Sequence, residues 1–138
     1  MTRPATPDDI DVICRSLPEV ELGVTWGDVP TFKVPVGDKG KGFVLYRKPH
    51  KTAVDPETGE PYDDLLVIRV RDAADKAALV EDPDTPFFTI PHFASFNAVL
   101  VQQSRLGELG LDELTEVITE AWMAVAPRTL VKRHFGDG

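Results

Sequence analysis

Five cations sit within one short stretch of an acidic chain. Lys39, Lys41, Arg47, Lys48 and Lys51 are opposed there by Asp38 alone. The segment from Asp38 to Lys51 is thus a net +4 island in a chain of net charge −8. Cations spaced along a projecting turn are what contact with successive phosphates needs, and phosphate contacts position a protein on nucleic acid without reading sequence. Phe43 and Tyr46, interleaved with the cations, add rings on which a base can stack. The partner this implies is nucleic acid or another polyanion. The same residues also fit a plainer role, because lysines at a solvated turn guard a sheet edge against aggregation. The glycines of the run Gly37 to Gly42 do not form a Walker loop. They lack the Gly-Lys-Ser/Thr ending and lead into a strand rather than a helix.

A second group is aromatic. Trp26 and Gly27, followed by Pro30, Phe32 and Lys33, would line a ligand groove if exposed. Together with the stretch Phe87 to Phe96 they would form a surface for a small ligand or a protein partner. If buried, the same tryptophan anchors a core while Gly27 permits a sharp bend before a strand. His50, His92 and His134 have no metal-ligand spacing to one another, to Cys14 or to a carboxylate pair. His92 lies close in sequence to Ser95 and Asp84, but no nucleophile-elbow pattern surrounds Ser95, Ser16 or Ser104. Cys14 falls on an apolar helical stripe, where a thiol acts as a small hydrophobe. The residues therefore point to no catalytic set, no metal and no cofactor. They favour a non-enzymatic binding module over an enzyme.

The elements that must position these groups follow from periodicity. Thr6, Pro7 and Asp9 give an N-cap, a first-position proline and a capping-box acid. Ile10, Ile13, Cys14 and Leu17 then follow helical spacing up to Pro18. Val20, Leu22 and Val24 alternate as a strand, and so do Phe32, Val34 and Val36. Pro35 places the second of these strands at an edge or interrupts it there. The glycine-rich turn joins it to Phe43–Arg47 as a hairpin. The stretch from Pro49 to Asp64 reads as a long turn-rich connection. Leu65 to Val70 is the most apolar strand and is expected to be central in the sheet. Asp72 caps a short helix to about Glu81, with Asp75 at its capping-box position. Phe87–Ile90 and Ala98–Gln102 read as two more strands. Asp112 is expected to cap a last helix with Leu114, Ile118, Ala121, Trp122 and Val125 on one face. Pro127 kinks or ends that helix and leaves a basic tail of Arg128, Lys132, Arg133 and His134. The order predicts an α+β fold, a twisted and mostly antiparallel sheet with helices packed on one face.

Composition sets the frame. The 138 residues suit one domain over positions 1–138. Hydrophobic residues at 42% and charged residues at 28% are ordinary for a folded globular chain. A single cysteine excludes an internal disulfide. The polar N-terminus lacks the apolar core of a signal peptide. No apolar run reaches the ~20 residues of a membrane helix, so no membrane partner is expected and the cytoplasm is the expected location.

Several of these stretches resemble the MmcQ/YjbR family. Its members carry a tryptophan-glycine pair leading into a strand of the form P-x-F-K-V, here Trp26-Gly27 and then Pro30-Thr31-Phe32-Lys33-Val34. A glycine-rich turn with a second strand follows, then a proline-aromatic stretch, here Pro86-Phe87-Phe88 through His92. A C-terminal helix bearing an aromatic residue, here Trp122, closes the domain. The resemblance implies a frataxin-like (CyaY-like) fold and brings with it an expectation of DNA binding. The frataxin analogy also points to Asp8, Asp9, Asp11, Glu19 and Glu21 as a surface for hard cations. Helix capping and solubility account for the first three without metal.

Overall fold

The computed structural model describes residues 3–25, 29–34, 40–47, 54–90, 93 and 95–135. Thr6 opens α1 (Pro7–Ser16) as its spacing predicts. The Asp9 carboxylate accepts from the Thr6 amide at 2.8 Å, and the Asp9 amide donates back to the Thr6 carbonyl at 3.0 Å. Ile10, Ile13 and Cys14 are buried on the inner side of this helix. Glu19, at φ 55, turns the chain toward the sheet.

Five strands follow: β1 (Glu21–Thr25), β2 (Val29–Val34), β3 (Lys41–Tyr46), β4 (Leu65–Arg69) and β5 (Ala98–Gln102). They lie side by side in chain order, each antiparallel to its neighbour. The hairpin of β2 and β3 is bulged, with Phe32 opposite Val44 and Lys33 opposite Gly42, so that Phe43 is the extra residue. Gly42 has to be glycine in this setting. A Cβ there would fall 2.5 Å from Thr31 Cγ2. The helices are α2 (Ala73–Val80), α3 (Leu111–Val125) and α4 (Arg128–Phe135). Asp72 caps α2 by accepting from the Asp75 amide at 2.9 Å.

Alternation along the strands sorts side chains into two layers. Phe32, Val34, Val44, Leu66, Ile68, Val99 and Val101 pack with Ile10, Leu114, Ile118 and Trp122 beneath the helices. Trp122 is fully buried, and its indole N–H donates to the Pro18 carbonyl at 3.1 Å, tying α3 to the turn that ends α1. The opposite face carries Leu45, Leu65, Val67, Ala98 and Leu100 under Phe93, Tyr62, Phe88 and Ile90. We call residues 86–90, 93 and 95–97, which supply Phe88, Ile90 and Phe93 to this cover, the strap. Among the described residues no helix is long and apolar enough to cross a membrane.

The α+β class and the helix-backed antiparallel sheet are as the sequence predicts, and four local readings change. Phe87–Ile90 forms a single bridge, Phe88 with Leu100, rather than a strand. Both bonds of that bridge form, at 2.9 and 2.8 Å, but Pro86 and Pro91 on either side lack the N–H that a longer ladder needs. The strand from Leu65 is fourth of five rather than central, and is apolar because both of its faces are covered. Gly110, not Asp112, caps α3, and the Glu113 carboxylate accepts from the Gly110 amide at 3.1 Å. The basic tail is helical. Pro127 ends α3 and begins a new turn, its carbonyl accepting from the amides of Leu130 and Val131 at 3.0 and 3.1 Å. Leu130 is buried as a result. β2 lies between β1 and β3, so it is not an edge strand, and Pro35 falls outside the described residues.

Candidate functional site

The sequence-derived candidates divide into those the structure places and those outside the described residues. Lys39, Lys48, Lys51, Trp26, Gly27 and His92 belong to the second group. Lys41 is exposed at the start of β3, opposite Val34, whose side chain packs beneath the helices. Arg47 follows the other end of β3, in phase with Leu45, and therefore projects from the opposite face. The structure does not bring these two hairpin cations together. Of the motif residues, Pro30 is exposed opposite Val24, and Phe32 is buried with its ring 6.1 Å from Tyr46. Lys33 lies on the strap face, its chain laid across Gly23.

The strap face holds an arrangement that sequence reasoning missed. Arg47 stacks its guanidinium 5.2 Å from the centre of the Phe93 ring. Arg69, on β4, lies 5.1 Å from the centre of Phe96. The two phenylalanine rings meet edge to face at 5.9 Å. Arg47, Phe93, Phe96 and Arg69 thus form an unbroken row, two guanidiniums flanking an aromatic pair. Phe93 is buried, whereas Phe96 remains 37% exposed. Tyr62 and Phe88, 5.6 Å apart, continue the aromatic cover toward β5. Among the strand positions facing this side, the ionisable residues are Glu21, Lys33, Arg47 and Arg69. This face is locally positive on an acidic chain.

Strand alternation and one buried lysine create the row. Val67 and Arg69 share the face of Leu45 because side chains repeat every second residue. Lys76 reaches from α2 to donate to the carbonyls of Phe93 and Phe96 at 2.6 and 2.8 Å. The two accepting residues are the same two whose rings form the centre of the row. Lys76 is only 8% exposed, and burial lowers its pKa. Burial also lowers the pKa of Arg47 from its ordinary value, while leaving a guanidinium charged at any physiological pH.

The other shifted groups belong to scaffolding. The Asp9 carboxyl is held well below the usual range, first by the Arg3 guanidinium that pairs with both its oxygens at 2.6 and 2.9 Å. Burial pushes the Cys14 thiol up to about 12, with a smaller contribution from Asp11. Burial likewise raises Tyr46 to about 12. Asp11 is paired with Arg15 at 2.8 Å. Among the described residues no three His, Cys, Asp or Glu side chains converge as a metal ion would require. A cleft of about 280 Å³ between α2 and α3 is lined by Arg71, Asp75, Glu120, Met123 and Ala124. Its arginine is already engaged with Asp75 at 3.2 Å and Asp72 at 3.5 Å.

Comparison with known proteins gives a consistent family picture. The YjbR family model matches residues 15–124. Uncharacterised proteins of Mycobacterium tuberculosis (Rv2570) and Mycobacterium bovis (Mb2600) are each 41% identical over 92 residues, which cover 66% of this chain and 69% of theirs. The crystal structure of Deinococcus radiodurans protein DR2400, a DUF419 domain, superposes with a TM-score of 0.62 over 95% of this chain and 88% of that one. At 18% identity that likeness speaks to the fold alone.

Proposed function

The chain belongs to the YjbR family, and from that premise we propose that it is a non-catalytic binding module for single-stranded nucleic acid. The observation that carries this reading is the row Arg47, Phe93, Phe96 and Arg69. Stacking on an aromatic ring serves any unpaired base, because every base has a π-face. A guanidinium stacked on a ring still presents its edge donors to a phosphate. A duplex keeps its bases paired and offers this surface only its backbone, so single strands are preferred. Lys48 and Lys51, which follow Arg47 in the sequence, extend the contact along the backbone, whereas Lys41 projects from the opposite face of the sheet and takes no part in it. The chain's net charge of −8 weakens long-range attraction, so recognition depends on the local cations and is sensitive to salt.

Fluorescence anisotropy with labelled single- and double-stranded oligonucleotides, scanned over salt, tests the reading. Three to five phosphate contacts give a logarithmic salt slope of about −2 to −4. Lys48→Glu/Lys51→Glu is expected to flatten that slope. Phe96→Ala is expected to weaken binding at every salt concentration and leave the slope unchanged. No binding at low salt would refute the proposal and turn attention to a small ligand or protein partner in the groove predicted around Trp26, Gly27, Pro30, Phe32, Lys33 and His92.

A further inference from the structure

The cleft between α2 and α3 has the opposite charge balance to the strap face. Two adjoining hollows, about 280 and 130 Å³ in volume, share Arg71, Asp75 and Glu120 in their walls. The inner one is lined with hydrocarbon from Val70, Leu79 and Val117. The outer one is walled by Met123 and Ala124 on the last turn of α3, and Met123 is 43% exposed. The positive groups here are taken up. Arg71 is paired with Asp72 and Asp75. Arg69 borders the inner hollow, but its guanidinium is stacked on Phe96 on the strap face. Asp72 and Asp75 also meet the positive end of the α2 dipole. Negative groups remain in excess. Glu120 is exposed and forms no ion pair among the described residues. The last turn of α3 carries no basic side chain. Pro127 lacks the N–H that would take up the Met123 carbonyl, so the negative end of that helix stays open.

We propose that this cleft binds a small organic ammonium ion, a primary ammonium head on a short hydrocarbon chain. Glu120, Met123 and Ala124 stand three and four residues apart on α3, so they are neighbours on its surface. The head brings three N–H donors to the Glu120 carboxylate and the carbonyl end of the helix. The chain lies along Met123 and Val117, where each methylene removed from water adds to affinity. Size agrees with this. At roughly the 30 Å³ that a water molecule occupies in the liquid, the five heavy atoms of n-butylammonium fit inside the outer hollow. A bare metal ion would gain nothing from the hydrocarbon walls, and a carboxylate would be repelled by Glu120. This inference stands apart from the nucleic-acid proposal, since the cleft lies between the helices and not on the strap face.

NMR titration of the full chain, labelled at its methionine methyls, reads the outcome, because Met1 and Met123 are its two methionines. n-Butylammonium chloride is expected to shift the Met123 methyl and the amides of Val117, Glu120 and Ala124 saturably, with Met1 unmoved. At matched ionic strength 1-butanol, butyrate and ethylammonium are each expected to bind at least about fivefold more weakly. Glu120→Gln is expected to weaken butylammonium binding about two- to fivefold. Its urea midpoint is expected to stay unchanged, because the side chain is exposed. A lysine side chain carries the same chemistry, and Nα-acetyl-lysine-N-methylamide separates the two sources. Binding weaker than that of butylammonium assigns the cleft to a free amine, and tighter binding assigns it to a lysine of another protein. Absence of a saturable shift, butanol binding as tightly as butylammonium, or undiminished binding by Glu120→Gln would overturn the proposal.

Discussion

The same five strands present two faces of different chemistry. Beneath the helices the strand positions are filled with Phe32, Val34, Val44, Leu66, Ile68, Val99 and Val101, closed by Trp122 and its neighbours on α3. Beneath the strap the apolar positions are fewer, and the rows end in Lys33, Arg47 and Arg69, with aromatic rings brought over them by a loop. The helix face is held by burial of hydrocarbon, which is non-directional and large. The strap face is held by specific contacts, namely two guanidinium–ring stacks and the Lys76 ammonium on two carbonyls. Truncation on the first face should therefore cost stability, whereas truncation on the second should mainly cost recognition.

The strongest test of that contrast is Trp122→Ala. Loss of a fully buried indole and its bond to Pro18 is expected to cost about 3–5 kcal/mol in urea unfolding. Next comes Lys76→Met, which removes the ammonium from the Phe93 and Phe96 carbonyls and leaves each with one backbone donor, the amides of Phe96 and Ala98, at an expected cost of about 1–3 kcal/mol. Its signature is local. Amide exchange should speed up at Phe93, Phe96 and Ala98, while the amides of β2 and α3 keep their protection. Uniform loss of protection would show that the strap is not a separate layer.

Asp9 sharpens the helix-side account through pH. Its carboxyl pKa is lowered on folding by Arg3, so the stabilisation is present above the ordinary value of 3.8 and is lost as pH falls below it. Asp9→Asn is expected to cost about 0.5–2 kcal/mol at neutral pH and to flatten the acid limb of the urea-midpoint profile. An unchanged acid limb would mean that other carboxylates set it. The smallest expected change in stability is for Phe96→Ala, about 0.5 kcal/mol or less. The same substitution is expected to weaken oligonucleotide binding by about 1–3 kcal/mol.

The helix face was legible in the sequence because its signals are local. Thr6, Pro7 and Asp9 announce α1, Asp72 announces α2, and Leu114, Ile118, Ala121, Trp122 and Val125 mark the inner side of α3. The second half of the C-terminus was not. Pro127 is a good helix start as well as a stop, and the burial of Leu130 that decides between them is a tertiary fact. The strap face was illegible for a related reason. Arg69 sits at an alternating polar position of β4, and periodicity alone assigns such a residue to solvent. Only the return of Phe93 and Phe96 over the sheet, fixed by Lys76, turns it into part of a surface. The ammonium of Lys76 bonds residues 17 and 20 positions away in sequence. No spacing rule reaches that far. Arg47 was picked out for its charge, and its stacking on Phe93 follows from the strap and not from the hairpin.

The most direct test of the central claim is an amide and arginine side-chain NMR titration of the protein with a short oligothymidylate at low salt. The account predicts perturbations concentrated at Phe93, Phe96 and the guanidinium N–H groups of Arg47 and Arg69, with the helix-side residues of α1 and α3 unmoved. Absence of perturbation, or perturbation confined to the helix side, would contradict it.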